Sequence, residues 1–311
     1  MLLKKQIWML ILGASFILFF SYNAFSYDLF NYIFDAKIIT VYHQNPYIHK
    51  ALDYPNDPML SFMRWTHRMY PYGPTWLVLT VPLSFLGFQF FVPTFFLFKA
   101  LAVAGFLGAV FCMGRVINKI SPEDENLALV FLGLNPLVII EGLVSAHNDM
   151  IMIALFLSAL YFLLHKKFLR TILLFILSIG VKFATFFLFP ALVLIFFVEK
   201  KRVSFKWNNI FLFMILPMIV PVIFASFRTN FQPWYLLYVL PFAAFLARKN
   251  FILFPSIIMS IFALLQYVPF LYLGNWDKPV PTILFWLTAI PIALSVFFVI
   301  IWFSKALLLK R

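Results

Sequence analysis

Four carboxylates, Asp28, Asp35, Asp53 and Asp57, and three histidines, His43, His49 and His67, fall within residues 26–74, in a chain that has only eleven acids and five histidines. A carboxylate held at a membrane surface can take the proton of an attacking hydroxyl. Arginine forks nearby can hold phosphate oxygens. Residues 27–42 carry no glycine or proline, which predicts a helix with Asp28 and Asp35 on one face and Tyr32 between them. Seven residues rise about 10.5 Å along a helix axis, too far for both carboxylates to chelate one ion. Asp28 at the helix start is also what the helix dipole favours in any protein, and Asp35 has an ordinary ion pair with Lys37 as its plainer explanation. Asp57-Pro58 reads as an N-cap with proline at the first helical position. The helix predicted over 58–69 would place Arg64 and Arg68 on one face with His67 beside them. Phosphate binding and attraction to lipid headgroups both account for that pattern.

Outside this segment the polar groups are few. Glu141 and Asp149 interrupt apolar stretches, and acids at bilayer depth are seldom idle. Asp149 ends the knot Ser145-Ala146-His147-Asn148-Asp149, where Ser145 or Asn148 also suits a helix cap. Lys182 sits in an apolar run, where snorkelling to an interface is the plain alternative to a site. Arg228 and the run Asn230-Phe231-Gln232-Pro233-Trp234-Tyr235 form a further short polar break.

These residues are embedded in a chain that is 64% hydrophobic and 11% charged, with a mean hydropathy of +0.97. Apolar runs of about 20 residues recur along its length, and each can cross a bilayer. The sequence therefore predicts an all-α, polytopic transmembrane bundle of about ten spans, with a helical extracytoplasmic loop after the first span. The net charge of +13 reads as orientation charge, and no soluble domain offers a basic face for nucleic acid. One cysteine, Cys112, excludes an internal disulfide and a cysteine-based metal site. The first apolar stretch, 7–22, follows Lys4 and Lys5 and lacks a small-residue cleavage site, which predicts an uncleaved helix and places residues 23–74 outside. Lys166, Lys167, Arg170, Lys200, Lys201, Arg202, Arg248, Lys249, Lys305, Lys310 and Arg311 then fall inside. The knot at 147–149, Lys182, residues 228–234 and 275–278 fall outside. Residues 75–117 pose a parity conflict: either 75–93 is re-entrant or interfacial, or Arg115 and Lys119 lie outside. No internal repeat of the transporter kind is present. The polar exceptions gather on one face of the membrane, which favours a reaction centre there.

The order of motifs resembles GT-C glycosyltransferases, in particular the GPI mannosyltransferase I type and its bacterial relatives. That family has D-x-D-Y after the first helix, then F-x-D-A, N/S-P-Y and Y-x-Y-x-P. Here Ser26-Tyr27-Asp28, Phe34-Asp35-Ala36, Asn45-Pro46-Tyr47 and Tyr70-Pro71-Tyr72-Gly73-Pro74 stand in those places, and His147-Asn148-Asp149 and Gln232-Pro233-Trp234-Tyr235 match later elements loosely. The resemblance implies one GT-C-like domain over 1–311 that transfers a hexose, on the mannose pattern, from a polyprenyl-phosphate sugar at the extracytoplasmic face of the plasma membrane. It implies Asp28 as general base with Asp35 as fallback. Arg64, His67, Arg68, Lys182 and Arg228 become phosphate partners, and His147, Asn148 and Asp149 orient donor or acceptor. Trp65, Tyr70, Tyr72 and Trp234 become stacking platforms. Ser26 departs from the first acid of D-x-D, so the use of a divalent cation stays open, and no other cofactor, nucleic acid or protein partner is implied. A flippase for lipid-linked sugars would bind the same headgroup without needing the acids, and a lipid-binding scaffold that lacks activity would tolerate Ser26.

Overall fold

The computed structural model describes residues 3–201 and 206–308. Arg202, Lys310 and Arg311, three of the orientation charges, lie outside the described residues. Among the described residues the chain is predominantly helical, and the sole bridge of β type joins Lys50 to Met69. The helices are α1 (Lys4–Phe19), α2 (Asp28–Thr40), α3 (Pro74–Leu86), α4 (Phe91–Ile120), α5 (Glu125–Gly133), α6 (Pro136–Ile139), α7 (Asp149–Leu164), α8 (Phe168–Val181), α9 (Phe189–Lys201), α10 (Trp207–Thr229), α11 (Leu240–Ala244), α12 (Asn250–Leu265), α13 (Tyr267–Leu273) and α14 (Val280–Leu308). Five segments are long and apolar enough to cross a membrane: Phe91–Ile120, Phe183–Lys200, Trp207–Thr229, Asn250–Leu273 and Val280–Lys305. A sixth is the pair Pro122–Gly133 and Pro136–Val144, bent by 56°. The protein is therefore an all-helical, multi-pass membrane protein.

The bend follows from local chemistry. Asn135 caps the second limb by accepting from the Leu137 N–H, and Pro136 takes the first helical position, where no donor is needed. That limb then widens into a π turn, Ile140–Val144, and a left-handed Ala146 (φ 55°) sends the chain into α7. A β-carbon in that region costs on the order of 1 kcal/mol, and such strain clusters at functional sites. Lys99 of α4 is fully buried and holds the turn by donating to the carbonyls of Leu143 and Val144, with a further bond to Ser21 Oγ at 3.2 Å.

Charged pairs collect at one end of the bundle. Lys4 pairs with Glu125, Arg248 with Asp124, and Lys119 donates to the Leu164 carbonyl. The polar knot and α2 lie at the opposite ends of α1, α4 and α7. The two readings of 75–117 turn on α3. It starts where the Gly73 N–H meets the Val181 carbonyl, and just past its end the Gln89 amide donates to the Thr40 carbonyl, while Ser84 bonds Thr40. Both of its flanks thus touch the layer that contains α2. At 13 residues, it is about 20 Å long, short of the ~30 Å hydrocarbon core.

Two expected elements differ. Residues 58–69 are not one helix: a 3-10 turn ends at Phe62, and the rest is irregular, with bends at Arg64 and Arg68 and a turn at 66–67. Backbone bonding elsewhere wins there. Leu52 N–H reaches the Thr66 carbonyl, Asn31 reaches the Trp65 carbonyl, and Tyr70 N–H reaches the Pro46 carbonyl. Residues 236–246 are likewise not a continuous helix but a 3-10 segment, Pro233–Tyr238, followed by α11, with Pro241 at the junction. The prolines remove the donors that a regular helix would need.

Candidate active site

Asp28 opens α2, and its backbone N–H bonds the Ser26 hydroxyl at 3.2 Å. Ser26, in the place of the family's first acid, thus satisfies the first N–H of α2 from just outside the N-cap residue, Tyr27. Asp28 is buried, with Oδ1 free of any partner and Oδ2 3.5 Å from His147 Nδ1. On the other side of the ring, His147 Nε2 lies 3.2 Å from Glu141 Oε2. Neither pair is aligned as a hydrogen bond. Glu141 Oε1 accepts from the Tyr267 hydroxyl at 2.5 Å. The Trp234 ring stacks on His147 with centroids 4.4 Å apart and planes 24° apart.

Beside this array, Asp149 Oδ1 meets Lys182 Nζ at 2.8 Å, and the ammonium lies over the rings of Tyr72 and Tyr238 at 5.8 and 5.5 Å. Tyr32, between Asp28 and Asp35 on α2, points its hydroxyl toward Asn148 Oδ1 at 3.4 Å and packs edge-on against Tyr72 and Trp76. Arg68 lies over Trp65, and its Nη2 reaches the Tyr72 hydroxyl at 3.4 Å. Tyr70 packs edge-on against Tyr72 and donates to the Gly73 carbonyl. Burial pushes the Asp35 carboxyl up to about 8, outweighing the downward pull of Arg68, and Asp28 adds to the rise. Farther along α2, Lys37 and Tyr42 bond Asp57, which also caps its own turn through the Met59 N–H. Those bonds hold the Asp57 carboxyl below its ordinary value against the opposing effect of burial.

The expected residues divide into two groups. Asp28, Arg68, Tyr70, Tyr72, His147, Asn148, Asp149, Lys182 and Trp234 converge from α2, the irregular 63–73 segment, the knot, the α8 end and the 233–238 segment. Arg64, His67 and Arg228 do not. Arg64 is exposed over Trp276 at 5.1 Å, His67 is exposed at the edge of Trp65, and Arg228 is exposed at the end of α10. Asp35 is buried on the same helix near Arg68. Glu141 was visible as a costly acid but carried no role, while Tyr267 and Lys99 gave no signal within apolar helices.

The convergence leaves unpartnered buried atoms: Asp28 Oδ1, Asn31 Oδ1, Ser145 Oγ, Asn148 Nδ2 and Asp149 Oδ2. In native proteins such atoms usually have partners, so this group is a candidate place for a polar ligand. It does not fit a chelated divalent ion, because no three histidine, cysteine, aspartate or glutamate side chains converge on one point among the described residues.

The family described as alpha-(1->6)-mannopyranosyltransferase, N-terminal domain (MptA_B family), matches residues 5–198, well over half of the chain. The chain belongs to this family. It is a membrane glycosyltransferase of a mannosyltransferase family. No curated protein and no solved structure matches. The matched region contains Asp28, Glu141, His147 and Lys182. Trp234 and Tyr267, which flank the histidine and the glutamate, come from beyond it.

Proposed function

We propose that this protein transfers mannose from a polyprenyl-phosphate sugar to a 6-hydroxyl of a sugar acceptor, at the extracytoplasmic face of the plasma membrane. The observation that carries the reading is a buried carboxylate with one free oxygen, Asp28, facing a cationic and aromatic wall of Lys182, Arg68, Tyr72 and Tyr238 in a chain of this family.

The acceptor oxygen attacks the anomeric carbon as its proton passes to Asp28 Oδ1, and the bond from that carbon to the phosphate oxygen breaks. The electron pair leaves on the lipid phosphate, where Lys182 and Arg68 stabilise the developing charge. Tyr70 and Tyr72 line the side from which the lipid-linked sugar would enter. Asn148 and Asp149 orient donor or acceptor through their free Nδ2 and Oδ2 atoms. Asp35 is ranked behind Asp28, because burial keeps its proton on near neutral pH while Asp28 has an unpartnered Oδ1 and a histidine beside Oδ2. Arg64, His67 and Arg228 are assigned to the headgroup layer around the site. A topology of about ten spans accommodates this reading if α3 stays on the outer side. Then α4 crosses inward, and the pairs formed by Lys4, Asp124 and Arg248 all lie in the cytoplasm, as the positive-inside rule prefers.

The test uses purified protein in detergent with radiolabelled polyprenyl-phosphate mannose and a short mannoside acceptor. Asp28→Asn should lower kcat by a factor of about 10² to 10⁴ with donor binding retained, whereas Asp35→Asn should keep most of the turnover. Full turnover in Asp28→Asn would overturn the assignment of the base. Tight donor binding without transfer by the wild type would point to a flippase or a scaffold.

A further inference from the structure

Behind Asp28 lies a row of groups that the transfer reaction does not itself require. His147 is 1% exposed and Glu141 is fully buried, and an imidazole between two carboxylates at this depth is costly unless the row acts together. Its two nitrogens face opposite ways, Nδ1 toward Asp28 Oδ2 and Nε2 toward Glu141 Oε2. The ring has little freedom to turn elsewhere, because Trp234 covers its face. Glu141 is fixed in turn by the Tyr267 hydroxyl on its other oxygen, and the Tyr267 ring packs on Phe25, just before α2. The backbone is arranged for the same end. The π turn and the left-handed Ala146 let the His147 N–H bond the Glu141 carbonyl at 3.0 Å, which folds the histidine back over the glutamate. π turns recur at functional sites for this kind of local re-aiming.

We propose that Tyr267, Glu141 and His147 form a positioning chain that holds Asp28 Oδ2, so that Oδ1 stays aimed at the acceptor hydroxyl. In this positioning chain His147 donates from Nδ1 to Asp28 Oδ2 and from Nε2 to Glu141 Oε2. The three residues act through Asp28 and do not touch the reacting atoms. This rests on the assignment of Asp28 as the base. It gives the C-terminal third of the chain, which supplies Trp234 and Tyr267, a part in positioning the base.

The experiment compares full-length wild type with Glu141→Gln, Tyr267→Phe and Asp28→Asn, and with Glu141→Gln combined with Asp28→Asn, in the same radiolabelled transfer assay. Each variant is also measured for donor KM and for thermal unfolding in detergent. Glu141→Gln should lower kcat on the order of 10²-fold, the scale of a misplaced catalytic group, with donor KM unchanged. Tyr267→Phe leaves the glutamate in place and should lower kcat about tenfold in the same pattern, which keeps the proposal open to test if Glu141→Gln fails to fold. In the Asp28→Asn background, Glu141→Gln should have no further effect on residual turnover, because groups that act as a unit are non-additive. Loss of donor affinity or of thermal stability that accounts for the lowered turnover, or equal fold-losses in both backgrounds, would overturn the chain in favour of a purely structural role. Inactive Asp28→Asn beside wild-type kcat in both Glu141→Gln and Tyr267→Phe would overturn the chain alone. Active Asp28→Asn would overturn the base assignment and the chain with it.

Discussion

At the scale of single residues, two aspartates one face-repeat apart have been given different chemistry by their surroundings. Asp28 keeps a free oxygen beside a histidine, and Asp35 is buried with its pKa raised to about 8. The sign of the consequence follows from linkage. Unfolded, an aspartate titrates near 3.9, so the folded protein binds the Asp35 proton more tightly than the unfolded chain does. Stability from this group is full below pH ~4 and is lost as pH rises toward 8. Thermal unfolding of the detergent-solubilised wild type should therefore show a falling Tm between pH 5 and pH 8. Asp35→Asn, which mimics the protonated acid, should flatten that fall. An unchanged slope would mean that the Asp35 carboxylate is better solvated than its burial indicates. The sequence revealed α2, its acids and the Asp57 cap because helix signals and caps are local. It misled over 58–69, because Thr66, Trp65 and Tyr70 spend their backbone groups on partners 14 to 34 positions away, which no window of sequence reveals.

At the scale of elements, the site depends on how closely α3 and α8 approach. A β-carbon on Gly180 would lie 2.2 Å from Thr75 Oγ1, and one on Gly73 would lie 2.2 Å from the Gly180 carbonyl oxygen. Each glycine is one or two positions from a wall residue, Tyr72 or Lys182. Gly180→Ala should push the junction apart at a cost of about 1–3 kcal/mol and raise the donor KM through displacement of Lys182. Combining it with Thr75→Ala, which removes the clashing hydroxyl, should recover part of the loss. Wild-type Tm and KM in Gly180→Ala would show that the junction yields without effect. The break at Lys182 was legible, since a lysine in an apolar run needs a reason. The glycine contact was not, since Gly180 reads as one more small residue in a membrane helix. Lys99 is a sharper case. It lies in the 30-residue α4, and its partners are backbone carbonyls of a π turn that sequence periodicity does not announce.

At the scale of the whole molecule, sidedness is the property on which the proposed chemistry rests. The ion pairs of Lys4, Asp124, Glu125 and Arg248 cluster at one end, and Asp28, His147 and Lys182 at the other, so one orientation of the bundle fixes the side of both sets. The first contains seven of the chain's basic orientation charges within a few residues of the helix ends: Lys4, Lys5, Lys119, Lys166, Lys167, Arg248 and Lys249. Charge bias of this kind sets orientation during insertion. In a Cys112→Ser background, single cysteines at exposed Tyr47 and at exposed Lys166 report the two ends. Tyr47→Cys should react with a membrane-impermeant maleimide in intact cells. Lys166→Cys should react only after permeabilisation. A third cysteine at exposed Phe88, just past α3, tests the parity conflict directly: labelling in intact cells places both flanks of α3 outside and leaves α4 to cross inward. Protection of Phe88→Cys would require α3 to span and would invert every later crossing. His147 and Lys182 would then face the cytoplasm, on the opposite side from α2. The 3.5 Å approach of Asp28 to His147 makes that arrangement incompatible with a single site, so the labelling pattern and the geometry of the base must agree or fail together.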